Sequence, residues 1–223
     1  MWVKTLILGE TVKKLSSRAV AMLTNGVLAL ILIVVGCVCF FPAAANVSSQ
    51  LEERVIRRGT SADGVSLMIN VYWGTEEVDG ILDVLEEYGA KATFFLGGSW
   101  ADDNTACVRR IAAAGHEIGT HGYFHRDHTT LGYDGNIKEI ADSVQFLSLV
   151  TGEAVTLFAP PSGAYDEDTV SAAEALGLKT ILWSKDTIDW RDKDADTCFL
   201  RATKDVTAGD FIFIHPHGQN SPV

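Results

Sequence analysis

The chain has 223 residues, 47% of them hydrophobic, and a formal net charge of −11. This length allows one sizeable hydrophobic core and one additional segment. Residues 1–45 hold four basic residues and one acidic residue, so the remainder carries 14 basic against 28 acidic residues. A domain this acidic repels nucleic acid and anionic polymers, which leaves neutral or cationic glycans as acceptable partners.

The N-terminal region contains a segment that could cross a membrane. Ala19–Ala45 has no charged residue, and Val27–Phe41 is continuously apolar, which is long enough for a transmembrane helix. The basic leader, residues 1–18, places the N-terminus in the cytoplasm and the remainder outside, as in a single-pass bacterial membrane protein. The Pro42-Ala-Ala-Ala ending also fits a cleavable signal peptide. The long leader and long apolar run favour the uncleaved anchor, and both alternatives export the rest of the chain.

After this segment we expect a linker over residues 46–63 and one domain over residues 64–223, in which strands and helices alternate. The predicted strands are Val65–Val71, Ala92–Leu96, His116–Gly119, Leu157–Ala159, Thr180–Ser184 and Phe211–His215. The predicted helices are Glu76–Tyr88 with Thr75 as its N-cap, Trp100–Ala114, Asp134–Leu149, Asp166–Leu176 and Ala195–Val206. Six strands alternating with helices indicate a parallel sheet wrapped by crossover helices.

Chemistry-bearing residues at the carboxyl ends of several strands favour an α/β barrel over an open sheet. A complete eightfold barrel takes about 250 residues, whereas the predicted domain has only 160. The chain also ends soon after its last predicted strand, with no helix to cover it. We therefore expect a distorted, incomplete (β/α) barrel that is short at its C-terminus.

The four cysteines divide between the two regions of the chain. Cys37 and Cys39 lie in the apolar segment and are not candidates for an extracellular disulfide. Cys107 and Cys198 have no characteristic spacing, so a bridge between them is possible. We expect them instead to be two free, buried thiols.

A histidine-rich stretch, Gly115–His125, reads G-H-E-I-G-T-H-G-Y-F-H. Its glycines and aromatic residues argue against a helix and favour a strand that runs into a loop. Such a loop can point His121 and His125 at one metal ion, although an isolated pair with this spacing more often has no ligand. Among the other histidines, we expect His116 to be structural and His128 and His217 to be exposed.

Five stretches carry the residues that suggest a function: Ala92–Leu96, Gly115–His125, Phe158–Gly163, Asp186–Trp190 and Ile214-His215. In this order and spacing, over about Val65–His217, the chain resembles the polysaccharide deacetylase family. This family is also called the NodB-homology domain or carbohydrate esterase family 4, and the similarity is greatest to its sporulation-associated branch. The resemblance implies removal of acetyl groups from N-acetylated glycans of peptidoglycan or chitin type, with a divalent metal ion, usually zinc.

The resemblance also implies roles for individual residues. His121 and His125 match the two metal-binding histidines. Asp189 matches the aspartate that orients and charges the acid histidine, and His215 matches that acid. Ser162 occupies the position whose backbone N–H helps to form the oxyanion hole.

The first motif departs from the family pattern. The family has T-F-D-D-G, or F-D-(V/I)-S-W-G in the sporulation branch, where this chain has M-I-N-V-Y-W-G over residues 68–74. Asn70 replaces the catalytic base, Val71 replaces the metal-binding aspartate, and Ala159 replaces the arginine that supports the base. Loss of a general base lowers the rate by about 100- to 10,000-fold, and two imidazoles with the Asn70 amide oxygen are a poor zinc-binding set. We therefore expect a deacetylase-like hydrolase with weak or lost activity, or alternatively an inactive glycan-binding pseudoenzyme.

Overall fold

A computed structural model describes residues 16–60, 63–192 and 194–216, without the side chains of residues 38–48. The chain divides into two compact units, Met1–Ser49 and Gln50–Val223. Most of the basic leader lies outside the described residues. His217, predicted to be exposed, also lies outside them.

The first element is a long helix, α1 (Ser17–Glu53). Its stretch Ser17–Cys37 is long and apolar enough to cross a membrane and is not buried within the protein, a pattern that fits both a membrane anchor and a signal sequence. The prediction of a linker over residues 46–63 is wrong for its first part. That part contains the end of α1 and a short strand, β1 (Val55–Ile56).

Beyond α1, the described part of the chain alternates strands with helices, as predicted. The strands that follow β1 are β2 (Ser66–Val71), β3 (Ala92–Leu96), β4 (Glu117–Thr120), β5 (Leu157–Phe158), β6 (Lys179–Ile181), β7 (Lys185–Asp186) and β8 (Phe211–Ile214). The helices are α2 (Val78–Glu87), α3 (Gly98–Asp103), α4 (Thr105–Ala113), α5 (Gly132–Thr151), α6 (Glu167–Ala175) and α7 (Ala195–Thr203).

The strands form one parallel sheet in the order β1-β6-β5-β4-β3-β2-β8-β7. Of the predicted strand Thr180–Ser184, the first two residues belong to β6, and residues 182–184 form a junction to β7, which lies at the far end of the sheet. The backbone N–H of Leu182 donates to Ile56, whereas that of Ser184 donates to Phe211. The sheet therefore curls into a distorted, incomplete α/β barrel, as expected from the sequence.

Successive residues of a strand point to opposite faces of the sheet and so enter different hydrophobic clusters. The cluster inside the curled sheet contains Met68, Phe95, Ala159, Ile181 and Phe213. The cluster between the sheet and the helices includes Ile69, Val71, Phe94, Leu96 and Ile111. In strand β2, Asn70 consequently points to the same side as Met68, whereas Val71 points towards the helices.

The helix boundaries differ from the predictions by a few residues, and two of the differences have a local cause. The predicted helix Trp100–Ala114 breaks at Asn104, whose φ of −128° is not helical and whose side-chain amide donates to the carbonyl of Trp100. Thr75 is not the N-cap of α2, because the helix begins at Val78 after Glu77 with no side-chain capping bond. The carbonyl of Thr75 accepts the N–H of Val78 instead.

The cysteines with described side chains, Cys37, Cys107 and Cys198, are free thiols. Cys107 is buried in the core, and Cys198 is partly exposed with its Sγ 3.1 Å from the carbonyl oxygen of Asp192. The prediction that Cys107 and Cys198 are free thiols is therefore confirmed. The prediction that both are buried is right for Cys107 and wrong for Cys198.

Candidate functional site

The histidine pair lies where β4 ends at the carboxyl edge of the sheet. The backbone N–H of His121 still donates to Leu96 of β3, so this residue is fixed by the sheet itself. The chain then turns through Gly122 (φ 76°) and reaches His125 (φ 52°), both in the left-handed region. The two imidazole rings lie with centroids 5.0 Å apart. The predicted strand and loop therefore bring the two side chains together.

His121 has a defined tautomer. Its Nδ1 lies 2.7 Å from the carbonyl oxygen of Ala159, which can only accept, so Nδ1 carries the proton and Nε2 presents a lone pair. Burial, followed by repulsion from His125, holds the pKa of His121 well below its ordinary value, although the bond to Ala159 opposes this shift. His121 is therefore a neutral imidazole with an available nitrogen, which is the form that binds metal ions.

His125 packs against Tyr72, the residue that follows β2. Their rings are stacked, with centroids 3.7 Å apart and planes inclined by 19°. Burial lowers the pKa of His125 and raises the pKa of Tyr72. Both side chains are consequently neutral near pH 7, and an aromatic surface supports the second histidine. Sequence reasoning did not identify Tyr72 as part of the site.

Asn70 lies beside His121, where the resemblance places the catalytic base. It is buried, and its Nδ2 is 3.4 Å from both ring nitrogens of His121. Its Oδ1 is buried without a hydrogen-bond partner. Val71, the position of the metal-binding aspartate, packs in the apolar cluster below the helices. Of these two replaced positions, therefore, only Asn70 faces the histidines.

Helix α5 packs against the histidine loop and its flanking residues. It contacts them through three buried polar residues at helical spacing, Asn136, Glu139 and Ser143. The hydroxyl of Ser143 accepts a hydrogen bond from Thr120 at the end of β4. Glu139 accepts the backbone N–H of Phe124 within the loop. The sequence reasoning missed these residues, although polar side chains on the inner face of a helix were the available signal.

His128 is fully buried, so the prediction that it is exposed is wrong. The Asn136 amide group donates to two carbonyls, and its oxygen accepts the Nδ1 proton of His128. The Nε2 atom of His128 has no partner and faces Gly122 in the loop. His116 is also buried, as expected of a structural residue, and its Nδ1 accepts the backbone N–H of Ala92.

Asp189 and His215 form a second pair, at the ends of the neighbouring strands β7 and β8. The Oδ1 atom of Asp189 lies 2.9 Å from His215 Nδ1, and its Oδ2 accepts the backbone N–H of His215 at 2.9 Å. Burial alone raises the pKa of Asp189, but these hydrogen bonds and the charge of His215 outweigh it and lower that pKa. The carboxylate is therefore ionised at neutral pH and oriented towards the ring, in the arrangement that the resemblance implies. Both residues border a cleft of about 360 Å³.

Ser162 lies in a short turn, Pro161–Gly163, that follows β5. Its φ of 56° is in the left-handed region, and its side chain is exposed. Gly163 packs so closely that a side chain there would come within 2.8 Å of Trp183. The turn is thus fixed tightly against the inside of the curled sheet, next to Ala159, whose carbonyl orients His121.

The chain is similar in sequence and in fold to known proteins. Residues 57–181 match the model of the polysaccharide deacetylase family. The chain belongs to this family. An uncharacterized Bacillus subtilis protein, YlxY, is 32% identical over 78% of this chain and 54% of its own length. A peptidoglycan-N-acetylglucosamine deacetylase of Bacillus cereus is 33% identical over 60% of this chain and 49% of its own length, so the chain spans about half of each.

A solved structure of a pseudoenzyme of carbohydrate esterase family 4, from Bacillus anthracis, is also similar. The two chains are 34% identical and superpose with a TM-score of 0.70 over 74% of this chain and 59% of the other. A mutant of that pseudoenzyme is described as having restored enzymatic activity. The family therefore includes a member named as a pseudoenzyme.

Deacetylases of this family are generally metal-dependent, and the donor atoms of this site can be compared with that requirement. Among the described residues, no group of three or more histidine, cysteine, aspartate or glutamate side chains could hold a metal ion. The site offers instead His121, His125 and the unpartnered oxygen of Asn70. Two nitrogens and one oxygen fit a borderline divalent ion such as zinc by donor type, without a negative charge. A bound metal ion would polarise an acetamide carbonyl and lower the pKa of a water molecule.

Proposed function

We propose that this protein binds an N-acetylated cell-wall glycan at the histidine site and hydrolyses it weakly or not at all. Membership of the polysaccharide deacetylase family supports the ligand class. Relatives named as peptidoglycan-N-acetylglucosamine deacetylase and chitooligosaccharide deacetylase support it further. In this proposal His121 and His125 hold a divalent metal ion, and the glycan lies across the carboxyl edge of the sheet.

The presence of Asn70 at the base position is the observation that limits catalysis. An amide does not accept a proton from water at physiological pH, and removal of a general base slows such reactions by about 100- to 10,000-fold. The next residue, Val71, has no carboxylate and faces the apolar cluster, and the carboxylate of Asp189 is bonded to His215. A protein that keeps the family's fold but lacks the general base can bind a glycan without hydrolysing it efficiently.

A slow deacetylase is the second candidate, and the Asp189–His215 pair favours it. The carboxylate of Asp189 accepts both the ring and the backbone N–H of His215, which fixes the ring in one orientation. A fixed and charged partner is what a proton-donating histidine requires. The proton donor expected for the leaving amine thus has the geometry for its role, even though the base is missing.

We also propose that α1 anchors the protein in the membrane with the deacetylase-family domain outside the cytoplasm. The long apolar stretch Ser17–Cys37 supports this location, as does the cell-wall function named for bacterial relatives. A domain on that side of the membrane would reach peptidoglycan. Its excess of acidic residues makes neutral N-acetylated sugars acceptable ligands.

The test measures binding and turnover on the same samples. The full chain in detergent micelles is titrated calorimetrically with N-acetylglucosamine oligomers and peptidoglycan fragments, and acetate release is assayed in parallel. Saturable binding without acetate release supports a binding protein. Acetate release that disappears in His121→Ala supports the slow enzyme, whereas absence of glycan binding at millimolar concentrations would overturn the proposed function.

A further inference from the structure

Two exposed aromatic side chains border the histidine site. Trp73 follows β2 and is 49% exposed, and Phe124 follows β4 and is 54% exposed. Trp73 is the residue after Tyr72, and Phe124 is the residue before His125. Because the rings of Tyr72 and His125 are stacked with centroids 3.7 Å apart, both exposed residues adjoin the same pair. Trp73 and Phe124 together are called the aromatic rim below.

Phe124 is held in place although it is exposed. Its backbone N–H donates to the carboxylate of Glu139, and the neighbouring carbonyl of Tyr123 accepts the backbone N–H of Ser99 at 2.8 Å. Its ring lies edge-on to that of Tyr123, with centroids 4.7 Å apart, and the guanidinium carbon of Arg126 lies 5.0 Å from its centroid. The ring is therefore ordered before any ligand binds, so that binding against it costs little conformational entropy.

The backbone beside Trp73 is fixed in a similar way. The carbonyl of Gly74, which has φ of 64°, accepts the indole N–H of the buried Trp100 at 2.8 Å. The indole of Trp73 nevertheless remains half exposed, and a large aromatic side chain left in water forgoes much of the stabilisation that its burial provides. A ligand that covers this indole recovers that free energy on binding.

The chemistry of the aromatic rim fits a neutral sugar. A single exposed aromatic residue indicates little, because much of any protein surface is apolar, whereas here two of them adjoin one candidate site. A pyranose ring presents a face of C–H groups, which packs on the negative face of an aromatic ring and leaves the sugar hydroxyl groups in water. Burial raises the pKa of Tyr72 and lowers that of His125, so this pair adds no charge that would favour an ionic ligand.

We propose that Trp73 and Phe124 bind the sugar units next to the one at the histidine pair, by stacking on their C–H faces. This inference rests on the proposed function and deepens it, because it names the side chains that hold the rest of the glycan chain. The aromatic rim lies beside the histidine pair, so a longer oligomer contacts more of it than a single sugar does. Affinity should therefore rise with the number of sugars.

The test titrates the full chain in detergent micelles, by calorimetry, with N-acetylglucosamine and its oligomers of increasing length. Trp73→Ala and Phe124→Ala should each weaken binding of the longest oligomer by about two- to tenfold, the range for one aromatic contact, and should flatten the dependence on length. Trp73→Phe and Phe124→Tyr retain a ring and should bind nearly as the wild type does. Saturating oligomer should change the tryptophan fluorescence of the wild type more than that of Trp73→Phe.

Phe199→Ala is the matched control, because Phe199 is 67% exposed and lies on α7, outside the histidine loop. It should bind every oligomer as the wild type does. If the wild type binds the longest oligomer, unchanged affinity in either Trp73→Ala or Phe124→Ala would overturn the inference and leave the proposed function standing, as would an equal loss in Phe199→Ala. Absence of glycan binding by the wild type would overturn the proposed function, and the inference with it.

Discussion

Tyr72 and His125 form a stacked pair, with ring centroids 3.7 Å apart, immediately after the strand that carries Asn70. Asn70 lies against the first histidine of the pair and Tyr72 against the second. Residues two apart in an extended segment point to the same side, which explains why one short segment supports both imidazoles. The histidine site thus depends on β2 as much as on its own loop.

Replacement of Tyr72 tests this dependence. Tyr72→Ala should lower the free energy of unfolding by about 1–3 kcal/mol, part of it from the lost ring stacking, and should shift the NMR resonances of the His125 ring. Tyr72→Phe should preserve both properties, because it retains the ring. Tyr88→Ala is the control, since Tyr88 is largely exposed. Unchanged His125 resonances in Tyr72→Ala would show that the stack does not hold the histidine.

Gly122 tests the close packing behind the histidine loop. An added methyl group would come within 2.8 Å of His128 Nε2, and the residue has φ of 76°. Gly152 at the end of α5 has the same φ and nothing within 4 Å of the added atom. Both alanine variants should lose about 1–2 kcal/mol from the left-handed conformation, and Gly122→Ala should lose more because of the contact. Chemical denaturation of the two variants provides the comparison, and equal losses would contradict it.

The burial of His128 predicts a dependence of stability on pH. Burial is the main cause that lowers the pKa of His128 from about 6.5, although Asn136, Asp127 and Asp166 oppose the shift. The unfolded chain therefore takes up a proton more readily than the folded chain. This contribution to stability is complete above pH 6.5 and is lost as the pH falls towards the native pKa, by at most about 1.4 kcal/mol per pH unit.

Denaturation of the wild type and of His128→Gln between pH 7 and pH 5 measures this contribution. The variant should show a shallower loss of unfolding free energy on acidification, although His116, His121 and His125, whose pKa values are also lowered by burial, retain part of the slope. Parallel curves for the two proteins would mean that His128 does not titrate on unfolding in this range.

Aspartate substitutions at the two replaced positions should have different effects. Asn70→Asp places a carboxylate beside His121, and we expect acetate release from N-acetylglucosamine oligomers to rise by about 100-fold or more. Val71→Asp places a charge in the apolar cluster below the helices, so it should destabilise the protein by several kcal/mol without a gain in activity. Acetate assays and unfolding curves on both variants check this. A gain from Val71→Asp and none from Asn70→Asp would reverse the assignment of the two positions.

The sequence predicted those parts of the site that depend on the type of a residue and on its position after a strand. His121 and His125 lie together, and Asp189 contacts His215, because each follows a strand that ends at the same edge of the sheet. The direction in which Val71 points could not be read from its motif. It depends on the phase of the β2 pleat at the strand end, which the packing of its neighbours decides.

The burial of His128 and the break at Asn104 have the same origin. His128 looks like a loop residue in the sequence, and its burial depends on Asn136, one turn into the next helix. Asn104 interrupts a helical pattern because its side chain bonds to the carbonyl of Trp100, a local bond that competes with the helix. Both outcomes result from polar contacts that apolar periodicity does not report.

The junction at residues 182–184 has a consequence for the solubility of the folded protein. Leu182 bonds to β1 and Ser184 to β8, so residues 182–184 link the two ends of the curled sheet. The two strands that remain at the ends of the sheet, β1 and β7, have only two residues each. Edges this short offer few unpaired backbone groups to a strand from another molecule, which protects the sheet against edge-to-edge aggregation.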